Sequence, residues 1–149
     1  MHISHKTDYS LKSILHLSGI YPDSTAQIKQ IAESQDIPRK FLEQVLLLLK
    51  KGGFLLSKQG PKGGYFLARA PEEISVGEVV RFVEGPIHPI SCIAEGFKEN
   101  CSFASVCVFR DIWVEVEDAI SAIIDNINFK ELLDREKTKR NQHIIDYQI

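Results

Sequence analysis

The chain has 149 residues, room for one compact domain with an appendage, and its hydrophobic (44%) and charged (26%) fractions are ordinary for a globular protein. No apolar run approaches the roughly 18 residues needed to cross a bilayer, and the opening MHISHKTDYS lacks the apolar core of a secretion signal. The expectation is a cytoplasmic protein with no membrane partner, in a compartment where thiols stay reduced. The net charge of −2 conceals a division, because residues 1–70 carry ten Lys and Arg against five Asp and Glu, and residues 71–149 carry eight against fifteen. A basic half beside an acidic one suits a polyanion-binding module with a non-binding partner region, although a solvated helix face accounts for the charge equally well.

In chain order, "DYSLKSILHL" (8–17) places apolar residues at 11, 14, 15 and 17, one side of a helix that Gly19 and Pro22 end. Ser24 or Thr25 is expected to cap a short second helix with Ala26, Ile28, Ile31 and Ala32 inward. After the tight connection "SQDIP", Pro38 suits the first turn of a third helix running to Lys51, with Phe41, Leu42, Val45, Leu46 and Leu49 apolar. "FLLSKQ" and "YFLAR" read as two short strands around the turn "GPKGG". Three helices followed by a hairpin describe a winged helix-turn-helix: a mainly α fold with a small β wing.

Beyond Pro71, Ser75 is expected to cap a helix through Glu84, with Val76, Val79, Val80 and Val83 on its apolar side. The Pro/Gly loop "EGPIHPIS" leads to the three cysteines of the chain, Cys92, Cys101 and Cys107. A long helix from about Ser102 to Asp125 is predicted next, apolar at 106, 109, 112, 113, 116, 119, 120, 123 and 124. At about 24 residues it would span roughly 36 Å, longer than a small winged domain is wide. Its stripe therefore calls for a partner, and a two-fold homodimer matched to a palindromic double-stranded DNA operator is expected. Asn128 is expected to cap a last short helix ending near Arg135, with a fraying tail. This divides the chain into a winged DNA-binding domain (1–70), a connecting helix and cysteine loop (71–101), and a long C-terminal dimerisation helix with its tail (102–149). No nucleophile–base constellation or acidic pair in a motif context is present, so no enzymatic activity is expected.

The stretches "KTDYSLKSILHL", "IPRKFLEQVLLLLKKGGFLLSKQGPKGGYFLAR" and "NFKELLD", with the cysteine cluster, resemble the Rrf-type family of bacterial winged-helix transcription regulators, which has IscR-, NsrR- and CymR-like members. The resemblance implies that the second stretch reads DNA and that the cysteines, where present, bind an iron–sulfur cluster. On the DNA side the residues agree. Arg39, Lys40, Phe41, Glu43 and Gln44 lie in the first turns of helix three, the end that enters a major groove. Gln44 suits an adenine edge and Glu43 a cytosine amino group, while Arg39 and Lys40 suit phosphates. Phe41 fits either core or groove. In the wing, Lys58, Gln59 and Lys62 are candidates; several relatives of this type carry arginine where this chain has Gln59.

A disulfide framework would leave one thiol over, and the gaps C-x8-C and C-x5-C match no zinc-knuckle spacing. Inert buried cysteines and metal-free reactive thiols remain alternatives. An iron–sulfur cluster, [4Fe-4S] or [2Fe-2S], fits better, with Cys92, Cys101 and Cys107 as iron ligands. The IscR-type pattern puts a histidine three residues after the last cysteine, where this chain has Arg110. The NsrR-type pattern implies an aspartate near the start of helix one, reaching across from the other subunit; this chain has Asp8 there, equally placed to cap that helix or form a salt bridge. His5 and then His88 are the next candidates. A regulator, expected to be a repressor, that senses redox state, nitric oxide or iron follows from the resemblance.

Overall fold

The computed structural model describes residues 3–94 and 101–147. Six helices and one hairpin follow in order: α1 (His5–Ser18), α2 (Ile28–Gln35), α3 (Arg39–Lys51), β1 (Leu55–Lys58), β2 (Gly64–Leu67), α4 (Val76–Glu84), α5 (Val108–Ile124) and α6 (Phe129–Tyr147). Single 3-10 turns occupy Pro71–Glu73 and Ser91–Ile93. This is the expected mainly α fold with a β wing.

Helix α1 begins at Ser4, whose hydroxyl accepts from the Thr7 amide at 3.3 Å; Asp8 is therefore inside the first turn and is not the cap. Ser10, Ser13 and Ser18 are buried, yet each hydroxyl donates to a carbonyl four residues earlier, so no orphaned polar group accompanies Ile14 and Leu17 into the core. The cap expected at Ser24 or Thr25 lies instead at Gln27, whose amide donates to Gln30 Oε1 at 2.7 Å. The start is displaced because Ala26 pairs with Tyr65, exchanging both backbone hydrogen bonds at 2.9 and 2.8 Å. A Cβ on Gly64 would come within 2.5 Å of the Ala26 carbonyl, so this close pairing requires glycine. Asp36 closes α2 in the left-handed region at φ 51°, a conformation its short polar side chain tolerates.

Strands β1 and β2 pair antiparallel from Leu55↔Leu67 to Lys58↔Gly64, leaving residues 59–63 as the wing tip. Ser75 caps α4 as expected, its hydroxyl accepting from the Glu78 amide at 3.1 Å. A short bridge then ties the start of α4 to the start of α6: Val76 donates to Ile127 and Phe129 to Ile74, at 2.9 and 3.1 Å. One core results. Ile14, Leu17, Ile31, Leu42, Leu46, Leu49, Phe54, Leu55, Ile74, Val79 and Phe129 are essentially inaccessible, and they come from α1 through the first residue of α6.

The C-terminal helices differ from their predicted bounds. Residues 102–106 form turns with three-residue hydrogen bonds (Ala104 to Cys101, Val106 to Phe103), so α5 has 17 residues and spans about 26 Å. Conversely α6, capped by Asn128 Oδ1 accepting from Glu131, continues for 19 residues instead of ending near Arg135. Pairs Lys130–Asp134, Glu131–Arg135 and Glu136–Arg140 at i, i+4 support this polar extension, which periodicity alone could not signal.

Candidate nucleic-acid interface and cysteine segment

Helix α3 is two-faced. Leu42, Val45, Leu46 and Leu49 are buried against the core, while Arg39, Lys40, Glu43 and Gln44 are exposed. Phe41 is 59% exposed, which resolves its ambiguity: the ring lies on the outer face beside Lys40 and Gln44 and not in the core. Glu43 lies 3.5 Å from Arg39 Nε, one turn earlier, so its carboxylate is partly neutralised on this face. Lys50 Nζ donates to Ser57 Oγ at 2.6 Å, fixing the end of α3 to the wing.

Lys58, Gln59 and Lys62 are exposed on the wing as expected. The tip is not a free flap. Thr25 Oγ1 donates to the Lys62 carbonyl at 3.1 Å and Gln27 Nε2 to the Pro61 carbonyl at 3.5 Å. A cleft of about 440 Å³ opens between the wing and the start of α2, lined among others by Thr25, Gln27, Gln30, Lys58 and Lys62. The sequence reading missed Thr25, Gln27 and Gln30 as members of this face. Their signal, a polar run at a helix start, is shared by most exposed caps and becomes informative only once the wing is folded against it.

The cysteines bracket the start of α5. Cys92 is half-buried in the Ser91–Ile93 turn, Cys101 is exposed, and Cys107 is the half-buried N-cap residue of α5 with no side-chain cap bond. All three are free thiols. Cys107 thus precedes the helix and does not lie within its first two turns, as the longer predicted helix required.

Asp8 pairs with Lys12 at 2.8 Å on the outer side of α1, and its side chain is 45% exposed. That hydrogen bond, more than the accompanying charge attraction, holds the Lys12 ammonium above its ordinary pKa. Of the two alternatives weighed for Asp8 in its own chain, the salt bridge is the one formed. His5 stacks on Tyr9, with centroids 5.9 Å apart. His88 Nδ1 lies 2.9 Å from Glu117 Oε2, joining the segment before Cys92 to α5. Arg110 stands in the first turn of α5, and its Nε is buried without a hydrogen-bond partner among the described residues.

The donor chemistry fits an iron–sulfur cluster, since three unpaired thiols lie on one segment. Among the described residues of a single chain, however, no three His, Cys, Asp or Glu side chains are gathered into a group that could hold a metal ion. Loop closure or a second chain would have to complete such a site.

The end of α4 connects these regions. Glu84 accepts from the Ser4 amide at 2.8 Å and from the Thr7 hydroxyl, tying it to the start of α1. One turn back, the Arg81 guanidinium grips Asp125 with both terminal nitrogens and reaches Ser121 Oγ at 2.9 Å, tying α4 to the end of α5.

An exposed polar recognition helix, a basic wing docked on the preceding helix, and a trailing apolar helix define a winged helix-turn-helix DNA-binding protein. Comparison narrows the class. The chain belongs to the Rrf2 family, described as "Iron-dependent Transcriptional regulator", whose profile matches residues 3–135. It is 33% identical over 137 residues to an rrf2-like HTH-type transcriptional regulator of Rhodobacter capsulatus, covering 88% of this chain and 91% of that one. Its fold is similar to CymR, the global cysteine regulator of Bacillus subtilis (TM-score 0.76, 27% identity, 91% of this chain and 98% of that one). It is also similar to the IscR of T. potens (TM-score 0.73, 27% identity, 91% and 88%). The protein is therefore a transcriptional regulator and not an enzyme. Among the described residues no helix is long and apolar enough to cross a membrane.

Proposed function

We propose that the protein is a cytoplasmic, homodimeric repressor that reads a palindromic operator and whose DNA affinity depends on an iron–sulfur cluster carried by the cysteine segment. The observation that carries this reading is a run of three free thiols, Cys92, Cys101 and Cys107, that ends at the cap of a helix whose apolar face is uncovered: α5 has no buried residue, and Phe109 and Ile112 are 67% and 52% exposed. A second copy would cover that stripe. Residues 1–70 then act as the DNA-reading unit, 71–101 as the connection, and 102–149 as the dimerisation unit.

In this reading Cys92, Cys101 and Cys107 supply thiolates and Asp8 of the partner subunit supplies the fourth donor. The exposure of Asp8 and its weak surface pairing with Lys12 leave its carboxylate available. When bound, a cluster supplies a centre that reacts with oxidants or nitric oxide. The chain's own residues supply the coupling: Glu84 joins the start of α1, and Arg81 the end of α5, to α4, from which the cysteine segment departs. On DNA, Glu43, Gln44 and Phe41 meet base edges, while Arg39, Lys40, Lys58, Gln59 and Lys62 meet the backbone and the neighbouring groove.

A second reading, a cluster-free regulator whose thiols respond directly to oxidants, draws on the absence of a gathered metal-ligand group among the described residues and on the similarity to CymR. Iron and sulfide quantitation with an absorption spectrum, on full-length protein purified without air, separates the two. Iron, sulfide and visible charge-transfer bands are expected, and Asp8→Ala lowers them. Protein without iron or bands sinks the cluster reading. For the DNA face, Gln44→Ala is expected to cost about 1–3 kcal/mol on the specific operator. Lys58→Ala weakens all sequences alike and lowers the salt slope by about one.

A further inference from the structure

The segment that carries Cys92 has little backbone of its own to hold it. Pro86 and Pro89 have no amide proton to donate, and the backbone bonds of the segment are local: His88 to Pro86, Ile93 to Ile90 and Ala94 to Ser91, at 3.2, 3.4 and 3.1 Å. Two side chains anchor it. Ile87 is buried, and His88 reaches α5 through Glu117 at 2.9 Å. Both partners of that bond are about three-quarters covered, unlike the exposed surface pairs of α6. A carboxylate only accepts, so the proton lies on His88 Nδ1 and is donated to Glu117.

The geometry limits where Cys92 can go. Glu117 lies ten residues after Cys107, about 15 Å along the helix axis. Cys92 follows His88 by four residues, a reach of at most about 14 Å. The Ser91–Ile93 turn packs against α5; with the bond made it is pinned there by a side chain as well, and without it that packing and the buried Ile87 remain.

We infer that His88 and Glu117 are positioning residues for Cys92, and that their bond sets how accessible and how placed that thiol is on α5. The inference rests on Cys92 being a functional thiol only for its biological meaning; the pair itself is tested without iron or DNA. In full-length protein with Cys101→Ser and Cys107→Ser, alkylation of Cys92 by iodoacetamide is timed at one fixed pH. His88→Ala or Glu117→Ala is expected to speed labelling by roughly fivefold or more, the factor that accompanies loss of a modest local contact. The double variant adds nothing further. His88→Gln, which keeps a donor for Glu117, labels close to the parent rate. A merely structural role would lower the melting temperature of each variant and speed labelling of a lone Cys107 (Cys92→Ser with Cys101→Ser) to the same extent. That result, or parent-like labelling in His88→Ala, overturns the inference. Selective labelling together with iron-free anaerobic protein would keep the positioning pair and discard the cluster reading; iron-loaded protein with no labelling change would do the reverse.

Discussion

The winged unit and helix α5 both carry apolar stripes, α5 the more apolar of the two, but end in opposite states. In the first, Ile14, Ile31, Leu42, Leu46 and Leu49 are fully withdrawn from solvent. In the second, Phe109, Ile112 and Ile123 remain more than half exposed, and no residue of the helix is buried. Apolar periodicity states that a face must be covered; it does not state by what. The winged unit shares one core with α4 and the start of α6, while among the described residues α5 meets the rest of the chain at the Ser91–Ile93 turn, at the Arg81 contacts with Ser121 and Asp125, and at the His88–Glu117 bond. In the proposed homodimer a second copy covers its stripe.

The largest expected effects test this contrast directly. Leu46→Ala removes a fully buried side chain and should cost about 2–5 kcal/mol, read as a lower urea midpoint at a fixed protein concentration. Ile112→Asp should leave the far-ultraviolet helical signal intact and shift sedimentation from dimer to monomer. If Ile112→Asp sediments as the parent does, the uncovered face of α5 is not the interface and the contrast loses its explanation.

A smaller effect tests the joint between the two regions. A Cβ on Gly77 would run into the Asp125 carboxylate and lie 2.7 Å from Arg81 Nη1, so a side chain at residue 77 would push this ion pair aside. Gly77→Ala should cost about 1–3 kcal/mol by this overpacking, despite the better helix propensity of alanine. Asp125→Ala removes the nearest of these atoms together with the Arg81 grip. If Gly77→Ala acts by displacing the carboxylate, it should cost less in the Asp125→Ala background than in the parent.

How much was legible in the sequence follows the same division. The three head helices, the hairpin and α4 were read to within a few residues, because local signals and the core agree there: Pro38 before α3, Ser75 before α4, the Pro/Gly turn between the strands. The misplaced cap of α2 came from a tertiary event, the pairing of Ala26 with Tyr65, that no local signal announces. The length of α6 was missed because its stabilising ion pairs look like an unstructured polar tail. Of the candidate site, the exposed face of α3 could be inferred from periodicity, and Phe41 was placed on it only by its exposure in the fold. Cys92, Cys101 and Cys107 could be picked out by type, but their separation within one chain, and the engagement of His88 by Glu117, depend on loop geometry.

The smallest expected effect concerns pH, and it arises where α1 meets α2, with α6 alongside. His16 sits where α1 meets α2, its Nδ1 2.9 Å from Ser34 Oγ. Burial holds its pKa below the ordinary histidine value of 6.5, with the carboxylate of Glu136 on α6 opposing that shift. The unfolded chain therefore binds a proton more readily than the folded one. The contribution is fully present above about pH 6.5 and is lost as pH falls through the lowered folded value. Half of the ring is still solvated, so the effect is small: the parent should lose slightly more melting temperature than His16→Gln between pH 7.5 and pH 5.5. Equal losses would assign the acid sensitivity to other groups. A loss that vanished in Ile112→Asp would move the effect from the α1–α2 contact to the α5 face, reversing its assignment to His16.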